Sequence, residues 1–158
     1  MKDLFFVIPF FPLLGFLIIG FFWKKLPKNI TSIIGCGSVG LSTIFAFLSV
    51  FDWAHHSIHH PIFKELFIWI PAGELPTKFF GLQPLSLSFS FQLDSLSALM
   101  ILFVTFVGFW IHTYSIGYMH NEEGYNRFFA YLNLFMFSML ILVLADNFPL
   151  MFIGWEGV

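Results

Sequence analysis

Near the end of the sequence an acidic residue, Glu156, stands in the apolar stretch Leu150-Met151-Phe152-Ile153-Gly154-Trp155-Glu156-Gly157-Val158. It follows Phe148 by eight residues, and Pro149 suits the first turn of a helix restarting after Asp146-Asn147. At about 1.5 Å per residue, Glu156 would lie roughly 12 Å into a hydrocarbon core about 30 Å thick. A carboxylate there costs roughly 3 kcal/mol or more to insert, which marks it for function. The chemistry is that of a protonatable group in a proton or ion path. The preceding apolar segments contain no Lys or Arg, so a cationic partner, if one exists, must lie beyond Val158 or on another subunit. A second reading stays open, in which Glu156 is an interfacial carboxylate in a shallow or re-entrant segment.

His112 is the other candidate. Imidazole titrates in the physiological range, and intramembrane histidines are rare. A proton relay and a packing residue with a satisfied ring stand as equal readings. His55, His56, His59 and His60 offer two i,i+4 pairs, a spacing that suits a metal on a helix. Pro61 ends any helix at once and no nearby Cys completes a ligand set, so a polar interfacial loop is the better reading and no metal site is expected. Asp94 reads as a helix cap and Asp146-Asn147 as a turn. No Gly-rich phosphate loop, Cys cluster or nucleophile triad is present, so no cofactor is expected on this chain.

These residues need a frame, and composition sets its kind. The 158 residues are 58% hydrophobic, 22% aromatic and 10% charged, against about 25% charged in soluble domains. Such a chain cannot clothe a water-facing surface. A net charge of −2 gives no argument for nucleic acid. The single cysteine, Cys36, excludes an internal disulfide and reads as an inert thiol among small residues. The start could imitate a signal peptide, but Phe21-Phe22-Trp23 is no small-residue cleavage site, so an uncleaved anchor is expected.

The expected fold is an all-α polytopic membrane protein forming a single membrane domain. It has about four complete transmembrane helices plus the start of a fifth, with an exterior β-hairpin between helices 2 and 3. The spans are placed at about 4–23, 30–51, 95–115, 128–146 and 148–158. Pro9 and Pro12 fall early in the first, where proline costs least. Lys24, Lys25 and Lys28 form a short basic loop, which the positive-inside rule places in the cytoplasm with the N-terminus outside. Gly35, Gly37, Ser38, Gly40 and Ser42 in the second span let other helices approach closely. The segment from Asp52 to Gln92 is expected outside. Within it Leu85, Leu87, Phe89, Phe91 and Leu93 alternate with Ser86, Ser88, Ser90 and Gln92, which is strand period. Leu66 to Ile70 supplies a partner run, ended by Pro71, and the two make a hairpin over about 62–93 on the outer face. Asp94 or Ser95 caps the third span, and Ser115 to Arg127 is expected as a cytoplasmic loop. About ten residues after Phe148 cannot cross a bilayer, so the chain reads as the front part of a longer protein.

Four stretches together resemble one family. They are Asp94-Ser95-Leu96-Ser97-Ala98-Leu99-Met100, His112-Thr113-Tyr114-Ser115-Ile116-Gly117-Tyr118-Met119, Arg127-Phe128-Phe129-Ala130-Tyr131-Leu132-Asn133-Leu134-Phe135 and Gly154-Trp155-Glu156-Gly157. The family is that of the largest antiporter-like subunit of respiratory complex I, called NADH-quinone oxidoreductase subunit L in bacteria and NADH dehydrogenase subunit 5 in mitochondria. It also includes large subunits of multi-subunit cation/proton antiporters. The resemblance runs from about Leu4 to Val158.

The resemblance implies a long many-helix protein with an exterior hairpin after its second helix, of which this chain is about the first quarter. It implies that Glu156 is the essential carboxylate of a proton channel, paired with a lysine on a later helix. A relay role for His112 is implied less directly. The implied function is proton translocation coupled to electron transfer from NADH to quinone, with the chain a subunit of the translocase. The redox chemistry, with NADH, FMN, iron–sulfur clusters and quinone, would belong to the rest of the complex. Partners would be other membrane-arm subunits and the lipid bilayer. The location would be an inner membrane, bacterial in preference to organellar. Two alternatives stay open: a subunit of a multi-subunit sodium/proton antiporter, and a short membrane protein that assists assembly.

Overall fold

The computed structural model describes residues 4–56, 60–77 and 81–158. A 3-10 turn, Phe5–Val7, leads into α1 (Phe10–Phe22), followed by α2 (Lys28–His56). Strands β1 (Ile62–Thr77) and β2 (Gly81–Leu93) come next, then α3 (Ser95–Tyr118), α4 (Tyr125–Leu144) and α5 (Phe148–Gly157). Four helical stretches, Phe5–Phe22, Lys28–His55, Ser95–Tyr118 and Tyr125–Leu144, are long and apolar enough to cross a membrane. This is the multi-pass architecture expected, with the hairpin between the second and third.

The first span is not one continuous α-helix from Leu4. It opens as a 3-10 turn, because Pro9 and Pro12 lack the N–H groups that an α-helical ladder would use there. Pro12 leaves the Ile8 carbonyl without its i+4 donor, and the Ser42 hydroxyl of α2 supplies one at 2.9 Å. In lipid such a carbonyl has no water to turn to, so this bond removes a cost of several kcal/mol. Ser42 thus does more than make room. Gly35 does make room: a Cβ there would sit 2.8 Å from the Phe129 ring of α4. At Gly37, by contrast, a Cβ would meet nothing within 4 Å.

Other boundaries differ from expectation. α2 runs on to His56, so Asp52 to His56 are helical instead of loop. α3 runs on to Tyr118, and α4 starts at Tyr125, which places Arg127 in a helix and shortens the loop. The strands are also longer than the alternating runs, and β1 continues through Pro71 by way of register shifts between Glu65 and Phe67, Ile68 and Ile70, and Pro71 and Glu74. A two-stranded sheet has only edge strands, where a proline and bulges are tolerated. The side chains of residues 70–77 and 81–86, and residues 78–80, lie outside the described part.

α4 packs against α1, α2, α3 and α5 and is the hub of the bundle. Buried apolar side chains form two clusters. One, at the hairpin end, gathers Phe5, Phe91, Leu93, Ile101, Leu140 and Leu150 among others. The second, at the opposite end, holds Ile19, Tyr125, Phe129 and Ala130. Elsewhere in the bundle, Thr105, His112 and Asn133 are fully buried polar side chains. Each bonds a carbonyl of its own helix: Thr105 that of Ile101 at 2.6 Å, Asn133 that of Phe129 at 2.9 Å. The large exposed hydrophobics, Phe21, Phe148, Leu96 and Tyr118 among them, point outward from the bundle.

Candidate functional site

Glu156 lies on α5, whose start is built from two local signals. Asn147, with extended backbone, accepts the Leu150 N–H on its side-chain oxygen at 3.0 Å, and a proline occupies the first turn. The helix then packs on α4 with glycine at the contact. A Cβ on Gly154 would lie 2.5 Å from the Leu142 backbone nitrogen and 2.7 Å from its Cα. Gly157 likewise leaves no room before Ser138. On a helix turning about 100° per residue, Glu156 stands roughly 160° from Gly154, on the face turned away from α4. It is exposed, and no described group hydrogen-bonds it.

His112 is fully buried on α3. Its Nδ1 lies 2.8 Å from the Gly108 carbonyl oxygen. A carbonyl only accepts, so Nδ1 carries a proton, and in the neutral ring the lone pair is on Nε2. That Nε2 is buried with no hydrogen-bond partner among the described residues. Phe129 stands edge-on, 6.3 Å between ring centroids. The ring is therefore held in one tautomer by its own helix, with the basic nitrogen left over.

The two candidates do not meet. Gly157 marks the level of Ser138 on α4, whereas His112 faces Phe129. Nine residues of α4 separate those levels, about 14 Å along the axis.

Asp94 caps α3 as expected: its side chain accepts the Ser97 N–H at 2.7 Å, and the Ser97 hydroxyl accepts the Asp94 N–H at 2.8 Å. The Ser97 N–H bond, ahead of the opposing desolvation, holds the Asp94 carboxyl below the usual carboxylate range. Of the four clustered histidines, His55 and His60 are exposed, while the side chain of His56 and all of His59 lie outside the described residues. No group of three or more metal-ligating side chains occurs among the described residues.

Asp146 and Asn147 are more than the simple turn read from sequence. The Ser90 hydroxyl donates to Asp146 Oδ2, and Asn147 Nδ2 donates to the Ser88 carbonyl at 2.8 Å and to Asp146 Oδ1 at 2.6 Å. Asn147, two residues ahead of a proline, carries a cap signal that could have been read; its bond to the hairpin could not.

The chain matches the family model for the N-terminus of NADH-ubiquinone oxidoreductase (complex I) chain 5 over residues 79–129. It is 43% identical over 148 residues to NADH-quinone oxidoreductase subunit L of Escherichia coli, covering 93% of this chain and 22% of that protein. The subunit L of Pseudomonas aeruginosa is 41% identical over 149 residues, 94% of this chain and 23% of that one. NADH-ubiquinone oxidoreductase chain 5 of Hypocrea jecorina is 39% identical over 147 residues, with coverages of 93% and 20%. The chain spans about a fifth of the length of these curated relatives. Along nearly all of its length the chain is similar in sequence to part of NADH-quinone oxidoreductase subunit L and NADH-ubiquinone oxidoreductase chain 5.

Proposed function

We infer that this chain contributes the α5 carboxylate of a proton path in the membrane part of an NADH:quinone oxidoreductase, and that Glu156 is the residue that takes up and releases the proton. The observation that carries the reading is an acidic side chain on an apolar helix, packed through glycines on one side and presenting its carboxylate on the other. Such a residue is costly in lipid unless a partner or a water-filled path faces it. The resemblance implies a lysine on a later helix as that partner. Electron transfer from NADH to quinone elsewhere would alter the field or packing at Glu156, and its proton affinity would shift with it. His112, with Nδ1 fixed and Nε2 free to accept, is a second proton-carrying group on a separate level of the bundle. The redox groups belong to other subunits, and the setting is an inner membrane. The test is Glu156→Gln in the full-length protein, with proton pumping followed by a pH-sensitive dye in inverted vesicles. Pumping should fall sharply while the complex still assembles; normal pumping would remove Glu156 from the path.

A further inference from the structure

We propose that the exterior hairpin positions Glu156: Ser90 and Asp146 form a clamp that sets the register of α5. The inference rests on Glu156 being the proton-carrying residue. β2 has β1 on one edge, and a two-stranded sheet leaves its other edge open. Here that edge is occupied by the α4–α5 turn. Phe91 bridges Ala145 in antiparallel fashion, and the Asp146 N–H donates to the Ser90 carbonyl at 3.4 Å. The Ser88 and Ser90 carbonyls, two residues apart, face the same edge, and Asn147 Nδ2 takes the first of them.

The side chains complete the clamp. Both carboxylate oxygens of Asp146 are engaged, one by the Ser90 hydroxyl and one by Asn147 Nδ2. Since the Ser90 proton goes to Asp146, Ser88 donates its own to Ser90 Oγ at 3.0 Å. Asn147 spends both amide hydrogens on this network and its oxygen on the first turn of α5. The same side chain therefore reads the hairpin and starts the helix. Leu150, one turn in, is buried in the cluster that contains Phe91 and Leu93 of β2.

The consequence for Glu156 is geometric. A slip of one residue at the start of α5 moves everything after it by about 1.5 Å and turns it by about 100°. A slip that carried Glu156 to the place of Gly157 would turn it into the α4 contact, against Ser138, instead of away from it. The glycine contacts with α4 keep α5 close but do not fix its depth, whereas the clamp does. The motifs Leu87-Ser88-Phe89-Ser90 and Asp146-Asn147-Phe148-Pro149 act as one unit although 56 residues separate Ser90 from Asp146.

The experiment uses the full-length protein in the assembled complex and reads protons pumped per NADH oxidised, a ratio that a change in the amount of complex does not move. A displacement of about 1 Å in a positioned group costs up to ~10²-fold, so the ratio should fall about three- to tenfold in Asp146→Ala and in Ser90→Ala. Asp146→Asn, which keeps an acceptor for the clamp, should restore most of it. If Asp146→Ala does not assemble, Ser90→Ala decides by the same ratio. An unchanged ratio in Ser90→Ala, with pumping lost in Glu156→Gln, overturns the clamp alone. Normal pumping in Glu156→Gln overturns the reading beneath it.

Discussion

Two residues show how a side chain's hydrogen bonds decide what it can do. Asp94 is a cap whose charged form is favoured in the folded state, so its carboxyl sits below the usual carboxylate range. The folded value lies below the unfolded one. The contribution is therefore present above the ordinary carboxylate range and is lost as pH falls through the folded value. Acid should loosen the start of α3 before its middle, a difference that amide hydrogen exchange at Ser97 against Thr105 would report. Asp94→Ala should cost about 1 kcal/mol of helix stability at neutral pH, and Asp94→Asn much less, since asparagine caps as well. His112 is the opposite case, a ring with one nitrogen satisfied and the other not. His112→Phe keeps a ring of similar size in the pocket beside Phe129 and removes the basic nitrogen. Pumping per NADH should drop while the complex assembles; unchanged pumping assigns His112 to packing.

The helices were legible where the sequence carries a local cause, and obscure where the cause lies in another element. Asp94, Asn147 and Pro149 mark helix starts by their own chemistry, and the alternation from Leu85 to Leu93 marks a strand. The extension of α2 through Asp52 to His56 has no such mark, because Trp53 buries itself there and donates its indole N–H to the His60 carbonyl at 3.2 Å. Hydropathy alone ends the span at the first charge. Glycine shows the same limit. Gly37 and Gly154 look alike in sequence, yet one faces open space and the other faces backbone. Gly154→Ala should push α5 off α4 and destabilise by about 1–3 kcal/mol. Gly37→Ala should be neutral or stabilise by up to about 1 kcal/mol. Thermal unfolding of the two variants in detergent separates them; equal midpoints would contradict the close α4–α5 approach.

At the scale of the molecule, the bundle has two unlike ends. At one, Lys28 of α2 donates to the carbonyls of His120 at 2.7 Å and Glu122 at 3.3 Å, and Asn126 Nδ2 takes the Trp23 and Leu26 carbonyls at 2.7 and 2.8 Å. The α1–α2 and α3–α4 loops are thereby closed together. Lys24 and Arg127 flank the Trp23 ring there, an arrangement of cation and amphipathic ring suited to a headgroup layer. At the other end the hairpin and the α4–α5 turn meet through Ser90 and Asp146. Four membrane-length helices running alternately up and down require this pairing of connections. The positive-inside rule assigns the end with the basic loop to the cytoplasm, an expectation that labelling tests. With Cys36→Ser as background, Glu65→Cys on β1 should react with a membrane-impermeant maleimide only from the outer side, and Glu123→Cys only from the cytoplasmic side. Both residues are exposed, so neither reaction is blocked by packing. Labelling of both from the same side would break the up-and-down order itself. Labelling from opposite sides in the reverse sense would keep the bundle but invert it.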